Sequence, residues 1–254
     1  MPLAKVVRLH RFAQKYVTQL DTLFPRGTAL ISDGKTLRNP ELAALLKGRQ
    51  LGGWSLAAES IDYLEEKIKE HRPRAILEFG SGISTLCLAF IMKELRKSSP
   101  NPLVFSIEQS QTHLEETRAT LSNYGLIEYV RFLHAPIVPQ RINGFETTCY
   151  NLYNANLSSL LGDIYPDFVL IDGPAGEEGC RFGTLPLVKP FLSDGAVFFM
   201  DDALRDGEIG IANSWSKCTC FNVLGIVWVG KGFLVGTVRK PDVSVIIPPT
   251  ASER

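Results

Sequence analysis

Between residues 75 and 203, short apolar runs alternate with segments of helical periodicity. Helical patterns follow the first, second and fourth of these runs, whereas we assign no element to residues 137–166. Strands that alternate with helices predict a mostly parallel sheet with helices on both faces, which is an α/β fold. The runs with the length and composition of buried strands are AILEFG, PLVFSIEQS, YVRFLHAP, DFVLIDGPAG and AVFFMDDA.

The two ends of this region have different patterns. FNVLGIVWVG and FLVGTVRK are β-rich runs joined by the dipeptide KG, which is typical of an antiparallel hairpin. Before the first strand, SLAAESIDYLEEKIKEH has apolar residues at helical spacing and ends before Pro73, which predicts an amphipathic helix. We therefore divide the chain into an N-terminal helical extension (1–53), a main domain (54–240) and a C-terminal tail (241–254).

The composition argues against several classes of partner. Lys plus Arg and Asp plus Glu each number 27, so the net charge is zero and no basic footprint for nucleic acid is present. The chain has no uncharged run of roughly 20 apolar residues, and its N-terminus has no apolar stretch of signal-peptide length. We expect a soluble, cytoplasmic protein that binds neither nucleic acid nor membranes.

The five cysteines are scattered and do not form the CxxC pairs of a zinc site. We expect all five to be reduced thiols. Cys218 and Cys220 form a close pair, which we interpret as the start of a strand rather than a redox centre.

Acidic residues stand at or near the ends of the predicted strands. In open parallel sheets, ligands bind beyond the carboxyl ends of the strands. Carboxylates gathered at one rim repel one another unless a ligand offers hydroxyls, amines or a metal ion. A ligand site is therefore predicted at this rim, with the acidic residues Glu78, Glu108, Asp172, Asp201 and Asp202.

A glycine turn follows the first strand. Gly80 and Gly82 allow a sharp turn and a close backbone approach to a ligand, but Thr85 stands where a dinucleotide fingerprint has its third glycine. Glu78 suits a ligand that carries an amine, and Glu108 suits the two hydroxyls of a ribose. An aminoacyl group and a ribose with no phosphate between them describe S-adenosylmethionine.

The segments ILEFGSGISTL, FSIEQ, HAP, FVLIDGP and GAVFFMDDALR, in this order, resemble the class I S-adenosylmethionine-dependent methyltransferases. The terminal hairpin matches that family's ending, and the resemblance covers residues 51–240. It implies a Rossmann-like sheet of seven strands. Within the class, the chain looks most like small-molecule or glycan O-methyltransferases and more distantly like the metal-dependent catechol type.

The resemblance also implies roles for individual residues. In the catechol type, the position of Asp172 and an Asp-Asn pair bind a divalent cation, so Asp172, Asp201 and Asp202 could bind Mg²⁺. The pair here is Asp-Asp, and no lysine follows Asp172 at the spacing of that group's base, so Asp172 could itself be the base. For the cofactor, the resemblance places Glu78, Gly80, Ser81 and Gly82 at the methionine half, Glu108 at the ribose, Ala135 and Pro136 beside the adenine, and Asp172 between cofactor and acceptor.

For several other polar and aromatic residues, the sequence allows both a functional and a structural role. Arg181 and Arg205 could hold an acidic acceptor or pair with nearby carboxylates. Trp54 could form a wall of the active site or pack the extension against the main domain. His134 is interpreted as facing the cofactor rather than the acceptor, which argues against a role as base.

The function predicted from these features is methylation of a small-molecule or sugar hydroxyl by S-adenosylmethionine. One alternative is a methyltransferase-like binding protein without catalysis. The other is an NAD-dependent oxidoreductase, which the missing third glycine and the terminal hairpin disfavour. The first 50 or so residues are expected to cover the active site or to form a homodimer contact.

Overall fold

A computed structural model describes residues 37–96, 103–176 and 179–239. The C-terminal tail and most of the N-terminal extension, with its predicted homodimer contact, lie outside the described residues. Within the described ranges the strands are β1 Ala75–Phe79, β2 Leu103–Glu108, β3 Val130–His134, β4 Ile137–Ile142, β5 Phe145–Tyr150, β6 Phe168–Ile171, β7 Val197–Met200, β8 Phe221–Val227 and β9 Phe233–Val238.

Seven of these strands form one sheet in the order β3-β2-β1-β6-β7-β9-β8. The first five strands of that order run parallel to one another. Strand β9 is antiparallel to both β7 and β8, and a short turn joins β8 directly to β9. The predicted seven-stranded, mostly parallel sheet with an antiparallel C-terminal hairpin is therefore confirmed.

Helices cover both faces of the sheet and bury two apolar cores. In β1, Leu77 and Phe79 belong to one core and Ile76 to the other, because successive side chains of a strand point to opposite faces. The helices of the described residues are α1 Pro40–Leu45, α2 Ala58–His71, α3 Ile83–Leu95, α4 Gln111–Asn123, α5 Leu152–Ala155, α6 Leu157–Leu161, α7 Thr184–Val188 and α8 Asp206–Ser216.

The described part of the N-terminal extension packs on the main domain. Leu42 of α1 is fully buried in the same core as Ile61 and Ile68 of α2. Asn39 caps α1 and donates a hydrogen bond to Glu65 of α2. Helix α1 is therefore held against the main domain through its contacts with α2.

A second, two-stranded sheet lies in the region that sequence patterns left unassigned. Strands β4 and β5 pair in antiparallel fashion. They are half exposed, so they do not show the continuous apolar runs of the central strands. The available signal was the dipeptide Asn143-Gly144 at the turn, where both residues have positive φ angles (51° and 87°), as a two-residue hairpin turn requires.

The cysteine prediction needs one correction. The structure joins Cys218 and Cys220 as a disulfide immediately before β8, so these two residues are not free thiols as expected. The pair does precede a strand. The remaining cysteines, Cys87, Cys149 and Cys180, are buried and free. Within the described ranges, no helix has the length and apolar character needed to cross a membrane.

Candidate active site

A cavity of about 490 Å³ opens at the carboxyl ends of β1, β2 and β6. This volume lies within the range of small-molecule and cofactor sites. Its walls are the loop after β1, the residues at the end of β2, the loop after β6, Tyr150 of β5 and the segment 50–55. Three of the strand ends that the sequence predicted to hold a ligand, those of β1, β2 and β6, therefore surround this cavity, whereas Asp201 and Asp202 after β7 do not line it.

The loop after β1 begins at Gly80, which has a φ of +92°. A Cβ atom at this position would lie 2.9 Å from the backbone nitrogen of Gly173, in the loop after β6. Backbone hydrogen bonds hold the loop after β6 against the end of β1, since Gly173 N donates to Phe79 O (2.7 Å). Gly80 N donates to Ile107 O of β2 (2.8 Å). Only glycine satisfies both the angle and the close approach at residue 80.

Glu78 lies behind this loop, fully buried, and does not line the cavity. Its Oε2 accepts hydrogen bonds of 2.6 Å from the hydroxyls of Thr85 and Ser106. The Thr85 hydroxyl accepts in turn from Gly82 N (2.9 Å). Because Ser106 uses its proton on Glu78, the Ser81 hydroxyl is the donor in its 2.8 Å contact with Ser106. Glu78 therefore supports the glycine loop from below.

Burial raises the pKa of Glu78 from 4.5 to about 7, although the hydrogen bonds from Ser106 and Thr85 oppose the shift. The other carboxylate oxygen, Oε1, has no hydrogen-bond partner among the described residues. Contact of Glu78 with the methionine half of a cofactor stays a prediction, since Glu78 does not line the cavity in this structure.

Glu108 does line the cavity, at the end of β2. Its two carboxylate oxygens accept from backbone nitrogens, Oε2 from Ser81 and Oε1 from Ser110, both at 2.8 Å. Each carboxylate oxygen has a further lone pair for a ligand hydroxyl. The geometry is compatible with the predicted role toward a ribose, which stays a prediction.

The residues predicted to lie beside the adenine do not reach the cavity. Ala135 is fully buried and its nitrogen donates to Glu108 O (2.8 Å), whereas Pro136 is exposed and accepts from Asn151 N (2.9 Å). Neither residue belongs to the cavity wall. His134 is exposed, with Nε2 3.1 Å from Gln109 O, and it does not line the cavity either.

On the other side of the cavity, three aspartates come together. Side-chain oxygens of Asp172, Asp201 and Asp202 lie within 4.8 Å of one another. Asp172 is partly exposed and lines the cavity, whereas Asp201 and Asp202 are buried beneath it. Burial raises the pKa of Asp172 from 3.8 to about 8, and the charge of Asp201 adds to the shift. The Asp172 carboxyl is therefore mostly protonated at neutral pH and becomes ionised as the pH rises through about 8.

Two arginines compensate the buried negative charge. Arg181 is buried, lies 3.0 Å from Asp202 Oδ2, and donates to the backbone oxygens of Asp172 (2.6 Å) and Asp201 (2.7 Å). Arg205 lies 2.9 Å from the same Asp202 oxygen. Of the two interpretations of each arginine, the structure favours pairing with carboxylates.

Lys231, which the sequence analysis passed over as part of a turn, completes this cluster. Its Nζ lies 2.8 Å from Asp201 Oδ2 and 2.9 Å from Asp202 Oδ1. An ammonium group thus already contacts two of the three aspartates predicted to bind Mg²⁺, and Arg181 contacts the remaining Asp202 oxygen. The residues do not fit a divalent cation in this arrangement, so the Mg²⁺ expectation is not supported.

Tyr150 lines the cavity and was not among the residues predicted from the sequence. Its side chain is buried, its hydroxyl has no hydrogen-bond partner among the described residues, and a Cβ atom on Gly173 would overlap that hydroxyl. A buried hydroxyl beside a cavity is available to a ligand. Trp54 also lines the cavity and is 91% exposed, which favours its interpretation as a wall of the site.

Comparisons with known proteins agree with this architecture. A family model described as "Methyltransferase domain" matches residues 77–203, which is half of the chain. This range includes the glycine loop, Glu108 and the three aspartates. No curated protein sequence matches the chain.

Solved structures with a similar fold include a methyltransferase from Geobacter sulfurreducens, with 19% identity and a TM-score of 0.55, which covers 89% of this chain and 96% of its own. The O-methyltransferase from Bacillus cereus in complex with SAH has 17% identity, a TM-score of 0.56 and the same coverage of 89% and 96%. TomG from Streptomyces achromogenes, an O-methyltransferase in complex with SAM, has 17% identity, a TM-score of 0.53 and coverage of 91% and 99%.

At these identities the structural likeness shows the fold, and the family match covers the residues that surround the cavity. Together they confirm the resemblance stated from sequence motifs. The chain belongs to the methyltransferase-domain family and has the fold of the class I S-adenosylmethionine-dependent methyltransferases.

Proposed function

We propose that this methyltransferase transfers a methyl group from S-adenosylmethionine to an oxygen atom of a small-molecule or sugar hydroxyl. The observation that carries the proposal is that one cavity joins the glycine loop and Glu108 with Asp172. The Bacillus cereus and Streptomyces achromogenes neighbours, which were solved with SAH and SAM, are O-methyltransferases by name and support it.

The cofactor would occupy the side of the cavity formed by the loop after β1 and the end of β2. Backbone groups of Gly80 to Gly82 would face its methionine half. Glu108 would accept hydrogen bonds from the ribose hydroxyls, while its contacts to the nitrogens of Ser81 and Ser110 keep its carboxylate in place. The unpartnered hydroxyl of Tyr150 would supply a further hydrogen bond between the two halves of the cavity.

The acceptor would approach from the Asp172 side. The acceptor oxygen attacks the methyl carbon, the bond between that carbon and the sulfonium sulfur breaks, and S-adenosylhomocysteine leaves as a neutral thioether. The proton of the acceptor hydroxyl passes to the Asp172 carboxylate. A base with a pKa of about 8 suits this transfer, because general bases work best when their pKa lies near the operating pH.

The two alternative functions, an NAD-dependent oxidoreductase and a binding protein without catalysis, differ from this proposal in separate ways. A dinucleotide oxidoreductase of the ordinary type would continue with parallel strands, whereas β9 here is antiparallel to both of its neighbours. A binding protein without catalysis would keep the cavity and bind S-adenosylhomocysteine, but it would release none from S-adenosylmethionine.

The test combines turnover with binding for wild type and Asp172→Asn. Release of S-adenosylhomocysteine would be measured against a panel of phenols, aliphatic alcohols and sugars, and cofactor binding would be measured by calorimetry. We expect wild-type turnover on at least one hydroxyl class, and a variant that binds cofactor normally but turns over at least roughly 100-fold more slowly. A fully active variant would exclude Asp172 as the base.

A further inference from the structure

Lys231 occupies a fixed position in the turn between β8 and β9. Its neighbours Gly230 and Gly232 have φ angles of +55° and +86°. A Cβ atom on Gly230 would overlap the Ser60 hydroxyl, and one on Gly232 would lie 2.8 Å from Leu204 Cγ. The turn is therefore pressed against helix α2 and the loop after β7, which carries the aspartates.

The ammonium group of Lys231 reaches three oxygens from two separate segments. It lies 2.8 Å from Asp201 Oδ2 and 2.9 Å from Asp202 Oδ1, and it donates to the backbone oxygen of Gly53 at 3.4 Å. The side chain is only 26% exposed. Lys231 thus connects the acidic cluster to the segment 50–55, which forms one wall of the cavity.

Basic side chains already contact the carboxylate oxygens that a divalent cation would need as ligands. Arg181 contacts Asp202 Oδ2, and Lys231 contacts the other Asp202 oxygen and Asp201. A divalent ion between the aspartates would have to share these oxygens with the ammonium group. A divalent ion and an ammonium group that share the same carboxylate oxygens in a poorly solvated site repel each other strongly.

We propose that the Lys231 ammonium group takes the place of a divalent cation between Asp172, Asp201 and Asp202, so that this enzyme transfers methyl groups without a metal ion. Lys231 is a positioning residue: it holds Asp201 and Asp202 beneath Asp172 and ties the segment 50–55 to them. The metal-independent turnover rests on the proposed function, whereas the exclusion of a divalent cation by Lys231 does not.

The test is the binding of Mn²⁺, followed by the loss of the free-ion signal in electron paramagnetic resonance. The variants are Lys231→Met, which removes the charge and keeps much of the side chain, and Lys231→Arg, which keeps the charge. Lys217→Met is the matched control, because Lys217 is an exposed lysine outside the cavity.

Wild type, Lys231→Arg and Lys217→Met are expected to leave millimolar Mn²⁺ free. Lys231→Met leaves Asp201 and one oxygen of Asp202 without their cation. This variant is expected to bind Mn²⁺ roughly tenfold or more tightly than wild type. Adding Asp201→Asn to Lys231→Met should abolish the gain. Stoichiometric Mn²⁺ binding by wild type, or a folded Lys231→Met protein as indifferent as wild type, would overturn the proposal.

Calorimetry with S-adenosylhomocysteine on the same samples separates this proposal from the proposed function. If wild type binds neither S-adenosylhomocysteine nor Mn²⁺, the methyltransferase assignment fails while the role of Lys231 in excluding the metal stands. If Lys231→Met does not fold, the wild-type titration still decides, because Mn²⁺ binding there contradicts the proposal and its absence supports it. Turnover of wild type in excess chelator should be unchanged, and loss of turnover there would also overturn it.

Discussion

Replacing Glu78 with glutamine should change how the stability of the protein depends on pH. Burial raises the pKa of this carboxyl from 4.5 to about 7. A raised pKa means that the folded state prefers the protonated form. The resulting stability is fully present below pH 4.5 and is lost as the pH rises through about 7. At roughly 1.4 kcal/mol per pKa unit, the shift corresponds to roughly 3 kcal/mol.

Glutamine resembles the protonated carboxyl and does not titrate, so Glu78→Gln should not undergo this loss. The assay is urea unfolding of wild type and variant at several values between about pH 5 and pH 8. The difference in unfolding free energy between them should shift in favour of the variant by roughly 2 to 3 kcal/mol across this range. Asp172 and Asp201 also titrate, but their contributions are common to both proteins and cancel in the difference.

Glu116→Gln is the matched control, because Glu116 lies exposed on α4 and undergoes the same chemical change. Its pH dependence should equal that of wild type. If the unfolding free energies of wild type and Glu78→Gln change in parallel from pH 5 to pH 8, the Glu78 carboxyl is ionised over this whole range and its ionisation does not destabilise the fold. The picture of Glu78 as a buried, partly protonated support of the glycine loop would then be refuted.

Three further predictions concern the cavity. Gly80→Ala should destabilise the protein by about 1 kcal/mol or more beyond Gly195→Ala and should abolish S-adenosylhomocysteine binding. Both glycines have positive φ angles, but only a Cβ atom at residue 80 would contact another loop. Equal losses of unfolding free energy in urea would contradict this prediction. The pH profile of kcat/KM for S-adenosylmethionine should rise with its midpoint at about 8, the pKa of Asp172, and level off above that. A profile that is flat through this range would exclude Asp172 as the titrating base. Trp54→Ala should change the unfolding free energy by less than about 0.5 kcal/mol and should raise the KM for the acceptor. Tyr153→Ala, which changes a similarly exposed aromatic residue outside the cavity, should leave that KM unchanged. An unchanged KM in Trp54→Ala would show that Trp54 is not part of the site.

The sequence predicted the sheet and the position of the site because both depend on local patterns. Apolar runs that alternate with helical segments define β1, β2, β3, β6 and β7, and the acidic residues at or near the ends of β1, β2, β6 and β7 follow from the runs that precede them. The glycine turn at Gly80 could be identified for the same reason. The end of the parallel part of the sheet was also visible, since KG between two β-rich runs predicts the β8-β9 hairpin.

Other features depend on contacts between residues far apart in the chain, which no local pattern reveals. Lys231 is a turn residue in the sequence and becomes part of the site only because β9 pairs with β7, which brings the turn beside Asp201. Tyr150 reaches the cavity through a hairpin whose half-exposed strands lack a clear apolar pattern. For Glu78, the sequence placed the residue near the ligand but could not show that it faces the hydroxyls beneath the loop.

The most direct test of the assignment is thermal unfolding of the purified protein with S-adenosylhomocysteine and, separately, with NAD. A ligand at about 100 times its dissociation constant adds about 2.7 kcal/mol to the free energy of unfolding, which raises the midpoint of a domain of this size by several degrees. We predict this increase with S-adenosylhomocysteine and none with NAD. An increase with NAD alone, or with neither ligand, would contradict the conclusion that this cavity holds the cofactor of a methyltransferase.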